Sequence, residues 1–271
     1  MSARQKLEQD LNNDEDDLSV ACGNSLRNSS ARAGRSHACN CHGHCAHTIL
    51  CRGTRRNLSA AARYAHRSRR RLYREPHHRL GPAFCERQAT DTECFNSSRN
   101  GRSAKSYREQ GLWDRALAVH PDYIIIQFGA NDGPGKGPLL EDVPATTFSD
   151  YLRADIRDAR AAGVIPVLVT PLPQRQYKDG KHVRTLEDYA AAMRAIGKET
   201  NAVVLDLNAE ANAALDAMTE EEAHQFNNNP TDPTVPGRDT THLNTKGGEF
   251  FGAMVAREFA SAFPALKVNT R

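Results

Sequence analysis

Three short strings bring together residue types that can do chemistry. Asn100-Gly101-Arg102-Ser103 offers an unhindered backbone N–H at Gly101. Gly129-Ala130-Asn131-Asp132 offers a carboxamide and a carboxylate, and Asp239-Thr240-Thr241-His242 sets a carboxylate three residues before an imidazole. An Asp beside a His can hold the ring's tautomer and stabilise the imidazolium, which suits the ring to general-base work. Donors aimed at a carbonyl oxygen lower the barrier to acyl transfer, because negative charge develops there. Each string also has a plain structural reading. Asn131-Asp132-Gly133 is good turn chemistry, and Asp239 is a favoured cap residue.

The elements needed to position such residues are legible around them. Three apolar runs bounded by turn residues read as buried parallel strands: Tyr123–Phe128, Ile165–Thr170 and Ala202–Leu207. Between and after them lie helical patterns. Residues 148–162 follow the cap candidates Thr146 and Thr147, turn Tyr151, Leu152 and Ile156 inward, and end at Gly163. Residues 185–200 place Leu186, Tyr189, Met193 and Ile196 on one face, and residues 245–263 do the same with Phe250, Phe251, Met254, Val255 and Phe259. This alternation predicts a doubly wound α/β sheet with helices on both faces. In such sheets reactive residues sit on loops beyond the carboxyl ends of strands. The Gly129–Asp132 string directly follows one apolar run, Asn100–Ser103 follows the short segment Glu93–Asn96, and Asp239–His242 precedes the last helix. Arg102, Ser103 and Tyr107 are candidates to line a pocket near Gly101, Tyr107 equally a packing residue. Trp113 reads as core and Glu220–Glu222 as a solvated helix face.

The chain of 271 residues has a net charge of +3, which hides two unlike parts. Residues 1–80 hold 14 Arg and 1 Lys against 7 acidic residues, a balance of +8, so the remaining residues sum to −5. Val20 and Ile49 are the single Val and Ile of that stretch, while every Phe and the one Trp lie beyond it. So little apolar material cannot offset chain entropy, and residues 1–80 are expected to be unstructured. The expected organisation is this segment, one globular domain over residues 81–265, and a tail over residues 266–271. No run of 18 apolar residues exists, which excludes a membrane-spanning helix. The opening MSARQKLEQDLNNDEDDL lacks the basic-then-apolar layout of a secretory signal, so the location expected as written is cytoplasmic. Seven cysteines in this length do not make a disulfide scaffold, and Cys85 and Cys94 are expected as buried thiols.

Taken in order, NGRSAKSYREQGLWDRAL, PDYIIIQFGANDGPGKG, TPLPQRQYKDGK and DTTHLNTKGGEFF resemble the rhamnogalacturonan acetylesterase branch of the SGNH (GDSL-type) hydrolases. Gly101, the Gly129-Asn131-Asp132 set and the Asp239–His242 pair match three of that family's four blocks, over a span from about Gly81 to Phe263. Ala130 departs from the branch, which often has His there. The resemblance implies a three-layer, flavodoxin-like α/β fold with a parallel central sheet. It also implies serine-dependent hydrolysis of acetyl esters on cell-wall polysaccharide such as rhamnogalacturonan. His242 would be the base and Asp239 its orienter. The Gly101 N–H and the Asn131 amide would form the oxyanion hole, completed by the nucleophile's own N–H. No cofactor or metal is implied, and the partner is an acetylated oligo- or polysaccharide rather than nucleic acid or membrane.

The fourth block, a Gly-Asp-Ser at the end of the first strand, is absent, so the nucleophile is unknown and the first strand is missing or mis-read. Degenerate codons for Ser68–Gly81 suggest why. Read one nucleotide further on, the junctions from Arg70/Arg71 to Tyr73/Arg74 permit Gly, Asp, Ser and Thr, and those from Arg79 to Gly81 permit Gly-Trp. Residues 1–80 are therefore expected to be an out-of-frame translation. The chain as written is expected to be inactive or poorly folded, its neighbouring strands exposing an apolar edge. Three rival readings stand beside this one. The chain is a non-catalytic carbohydrate-binding relative. His37–Cys51, with Cys39, Cys41, Cys45 and Cys51, is a zinc module, although it lacks paired C-x2-C knuckles. Or the Arg-rich run Arg67–Arg79 is a nucleic-acid arm, although only Tyr73 supplies an aromatic.

Overall fold

The computed structural model describes residues 80–88, 92–142, 144–229, 231–232, 234 and 236–264, together with the backbone of residues 45–53. In chain order the elements are β1 (Cys45–Gly53), α1 (Leu80–Glu86), β2 (Thr92–Asn96), β3 (Arg99–Asn100), α2 (Ala104–Glu109), α3 (Leu112–Leu117) and β4 (Tyr123–Gln127). There follow α4 (Ser149–Ala161), β5 (Ile165–Val169), β6 (Tyr177–Lys178), β7 (Lys181–His182), α5 (Glu187–Thr200) and β8 (Val203–Leu205). Last come α6 (Leu207–Asp216), α7 (Glu220–His224), β9 (Asn227–Asn228), β10 (Asp239–Leu243) and α8 (Thr245–Ala262).

The three apolar runs form the parallel heart of the sheet. Ile125 pairs with Val167 and Ile126 with Leu168, while Val167 pairs with Val203 and Val169 with Leu205. Alternate residues on a strand face opposite sides. Ile125, Val167, Val169 and Leu205 accordingly pack with α1, α6 and α8 through Phe84, Leu215, Phe251 and Phe259. Ile124, Ile126 and Leu168 pack on the other side with Tyr107, Trp113, Leu152, Met193 and Ile196. Burial on both faces is why these strands read as unbroken apolar runs. The helices at 149–161, 187–200 and 245–262 fall on the expected patterns, and Gly163 ends α4 at a φ of 73°. A π-helical turn, Pro144–Phe148, occupies the place expected for a Thr cap. Trp113 is core, as its sequence setting implied.

The expectations for residues 1–80 meet one difference. Cys45–Gly53 is extended and lies between β2 and β4, in sheet order β2-β1-β4-β5-β8. It runs antiparallel to both, with Leu50 paired to Phe95 and to Ile124. β2, β4, β5 and β8 therefore share one direction, and β1 alone opposes them. The slot next to β4 is filled, so the apolar edge expected from a missing first strand is covered. This stretch carries the lone Ile of residues 1–80 beside Leu50, Thr48 and Cys51, which gives it β-forming composition that its surroundings lack. The rest of the expected unstructured segment, the Arg67–Arg79 run and the His37–His44 part of the zinc candidate lie outside the described residues. So does the tail.

Cys85 and Cys94 are not free thiols; they form a disulfide, with Cα atoms 5.5 Å apart. The bond ties α1 to β2 across a short connection, and it replaces the expectation of two buried thiols because the two elements bring the Cα atoms within bridging distance. Peptide mapping under non-reducing conditions is expected to return one fragment containing Cys85 and Cys94. Cys94→Ala is expected to lower stability by about 2–5 kcal/mol, read as a shift in the denaturation midpoint.

Candidate active site

The Asp239–His242 string is strand β10, which pairs with β9 through Asp239 to Asn228 and Leu243 to Asn227. The register shifts between these pairs, and the irregularity lets Asp239 turn back over its own segment. Asp239 Oδ1 accepts the backbone N–H groups of Thr241 at 2.9 Å and His242 at 3.0 Å, while Oδ2 lies 2.6 Å from His242 Nδ1. Burial alone would raise the Asp239 carboxyl, but these hydrogen bonds and the adjacent imidazole hold it well below the usual carboxylate range. An ionised carboxylate accepts, so Nδ1 carries the proton and Nε2 is the basic atom. Just beyond, Asn244 caps α8 by accepting the Gly247 N–H at 2.9 Å, which anchors the end of the segment.

Gly101 and Asn131 come together at the carboxyl end of the sheet. Gly101 follows β3 at a φ of 67°, a conformation that glycine adopts without steric penalty. Asn131 is buried, and its Nδ2 donates to the carbonyl of Arg102 at 3.0 Å, so the two expected oxyanion donors sit on linked strings. Asp132 completes the link. Its two carboxylate oxygens accept the N–H of Ala104 and of Gly129, each at 2.8 Å. Gly129 has a φ of 115°, and a Cβ there would lie 3.0 Å from Tyr189 Cβ and 3.1 Å from Pro171 Cγ. Tyr189 in turn sets its hydroxyl 2.9 Å from the Asp132 carbonyl and 2.8 Å from that of Asp142. Burial pushes the Asp132 carboxyl up to about 7, against the pull of its two backbone donors.

A cleft of about 470 Å³ opens beside these strings, lined among others by Ala130, Lys136, Gln174, Arg184 and Tyr189. Gln174 connects it to the acid–base pair, donating through Nε2 to Thr241 Oγ1 at 3.0 Å. The structure thus brings Asp239 to His242 by direct contact and Gly101 to Asn131 through Arg102, and each pair has a neighbour in the cleft wall, Gln174 for one and Ala130 for the other. Of the pocket candidates, Ser103 is buried as the cap of α2 with Ser106, and Tyr107 is buried core whose hydroxyl donates to Ser97. Arg102 turns to Gln110 and to the Asn100 carbonyl. Glu222 stands at the surface, as expected, but also caps α7 with Thr219. Sequence reasoning missed Gln174, Arg175 and Tyr189 as supports of the site, and placed Asp132 in its string without showing which donors it holds. TPLPQRQ, immediately beyond an apolar strand, was the available signal for the first two. No group of metal-ligating side chains occurs among the described residues. The amino end of β1 lies at this side of the sheet, with Cys45 opposite Asn100 and His47 opposite Gln127. What precedes it lies outside the described residues, and the nucleophile is unassigned.

Residues 57–250 match the sequence model of the GDSL-like Lipase/Acylhydrolase family. The match begins ahead of the compositional boundary near residue 80. The chain is 33% identical over 171 residues to "Rhamnogalacturonan acetylesterase RhgT" of Bacillus subtilis (strain 168), covering 59% of this chain and 71% of that one. It is 29% identical over 167 residues to "Probable rhamnogalacturonan acetylesterase YesY" of the same organism, covering 61% and 75%. The crystal structure of the protein YXIM from Bacillus subtilis shares the fold, with a TM-score of 0.51 and 22% identity over 61% of this chain and 45% of that chain.

The raised Asp132 carboxyl generates a pH prediction. A group whose folded value lies above its unfolded one contributes stability that is fully present below about pH 4 and is lost as pH rises through about 7. Asp132→Asn removes this dependence but leaves one of the two backbone N–H groups without its acceptor. At pH 5 the variant is expected to be less stable than the parent by about 1–3 kcal/mol. The gap should narrow between about pH 4 and 7, as read from urea midpoints at each pH.

Proposed function

Because the chain belongs to the GDSL-like lipase/acylhydrolase family, we propose that it is a serine-type ester hydrolase that removes acetyl groups from cell-wall polysaccharide such as rhamnogalacturonan. The observation that carries this reading is the His242 Nδ1 to Asp239 Oδ2 hydrogen bond of 2.6 Å, on a segment that Thr241 joins to Gln174 in the wall of the cleft. The two acetylesterase relatives support the substrate class. In this reading His242 Nε2 takes the proton of a serine hydroxyl as the serine oxygen attacks the acetyl carbonyl. The Gly101 N–H and the Asn131 amide bear the negative charge that develops on the carbonyl oxygen. The protonated ring then delivers its proton to the departing sugar oxygen. Water, activated by the same ring, releases acetate from the acyl-serine. Asp239 stays ionised throughout and stabilises the imidazolium.

The serine is supplied by the Gly-Asp-Ser that the shifted frame permits near residues 70–73, and the chain as it stands has little turnover. A reversed β1 beside otherwise co-directional strands supports this, because a doubly wound sheet uses a parallel first strand at that place. The non-catalytic binding alternative is less well supported, since it gives no role to a low-lying Asp239 carboxyl paired with His242. The Cys85–Cys94 disulfide weighs against the cytoplasmic location, because such bonds persist in oxidising compartments.

The test is to express the chain in both reading frames and measure acetate released from acetylated rhamnogalacturonan. The shifted-frame protein is expected to hydrolyse it, and His242→Ala in that protein to lose on the order of 10⁶-fold in kcat. Saccharide binding without hydrolysis in both frames would instead establish the binding-only relative.

A further inference from the structure

Arg175 stands on the loop after β5 and is fully buried. Its Nε donates to Asn227 Oδ1 at 2.7 Å, and its Nη2 donates to the backbone carbonyl of His242 at 2.6 Å. Its own backbone N–H donates to the Thr240 carbonyl at 3.0 Å. The preceding residue adds the Gln174 contact to Thr241. Two consecutive residues of this loop thereby hold three consecutive residues of the Asp239–His242 segment, and the guanidinium reaches across to β9 as well.

A buried guanidinium is a poor choice for stability alone. Burial lowers its pKa to about 9, with the charge of Asp239 acting the other way. Nη1 is buried without a hydrogen-bond partner among the described residues. A neutral amide could satisfy a carbonyl without that penalty. An Arg differs in two respects that matter here: its rigid planar fork can span two acceptors on different strands, and it carries a positive charge at neutral pH.

We infer that Arg175 is the positioning residue of the Asp239–His242 pair, tying the His242 backbone to Asn227 while its charge balances Asp239. This rests on the reading of Asp239 and His242 as orienter and base. The fork fixes the imidazole's backbone relative to the β9–β10 pair, and the positive charge adds to the hydrogen bonds that keep Asp239 ionised as the acceptor of the Nδ1 proton. Arg175 touches no reacting atom and acts through His242.

The test uses the full chain and needs no turnover. In proton NMR, the His242 Nδ1–H held by Asp239 gives a far-downfield signal, assigned by its loss in His242→Gln. In Arg175→Met that signal is expected to vanish, or its exchange with water to accelerate at least about tenfold, at a temperature where the amide pattern of the sheet is unchanged. Arg175→Lys keeps the charge and one bond, so its exchange should fall between parent and Met. Should Arg175→Met fail to fold, the Lys variant decides alone: faster exchange than in the parent supports the inference, and an unchanged rate overturns it. An undisturbed signal in folded Arg175→Met, with only the denaturation midpoint lowered, would make Arg175 a purely structural residue and overturn it too. The acetate assay is a separate readout. If the signal depends on Arg175 but no acetate is released in either frame, the positioning role stands and the esterase reading falls.

Discussion

The Asp239–His242 pair lies on a short, irregular strand, and one buried guanidinium bonds to that strand's backbone. β10 is a five-residue strand with an irregular register, paired only with the two residues of β9. Such a segment could not keep an imidazole in place through ladder hydrogen bonds alone. Arg175 supplies the missing constraint by joining the His242 carbonyl to Asn227 from a loop anchored at the end of β5. The parallel sheet therefore reaches the chemistry through a side chain rather than through a strand end.

The other half of the site obeys the same logic with the opposite charge. Asp132 is a buried carboxylate that gathers the N–H groups of Ala104 and Gly129, and so binds the Gly101 string to the Asn131 string. Each half places an ionisable group out of water to join backbone segments that no shared helix or strand ladder joins. In the interior a hydrogen bond is electrostatically stronger and an unmet donor more costly, so these links are rigid. Arg108 plays a comparable part away from the site, pairing with the fully buried Asp155 at 2.5 Å and with Asp158 at 2.6 Å to join α2 to α4.

β1 presents the one conflict between levels. Among the described residues, five strands of its sheet point one way, and the strand drawn from the Arg-rich segment points the other. Apolar composition is enough to place a strand in a sheet slot, because the ladder satisfies either direction. Direction is decided by what precedes and follows, and a doubly wound sheet ties each strand to a crossover helix. Under the proposed frame shift, no such connection is encoded for this strand, which agrees with both its place and its reversed direction.

Much of this was legible in the residues themselves. The runs at 123–128 and 165–170 are apolar at most positions, so their burial followed from composition, apart from the buried polar Gln127 and Thr170. The helices at 149–161, 187–200 and 245–262 followed from the spacing of Leu152, Met193 and Phe251 with their neighbours. The local pairing of Asp239 with His242 also needed only a three-residue spacing. What the residues could not disclose were contacts between parts of the chain far apart in sequence. Nothing local marks Arg175 as the partner of a carbonyl 67 positions away, or Asp132 as the acceptor for an N–H 28 positions before it. Nor did the spacing of Cys85 and Cys94 reveal that α1 and β2 bring them into bonding distance. Periodicity reports which face of an element is buried. Only the packed sheet and its loops decide which polar groups meet there, because each such meeting is satisfied by the sum of many contacts and by no single stretch of chain.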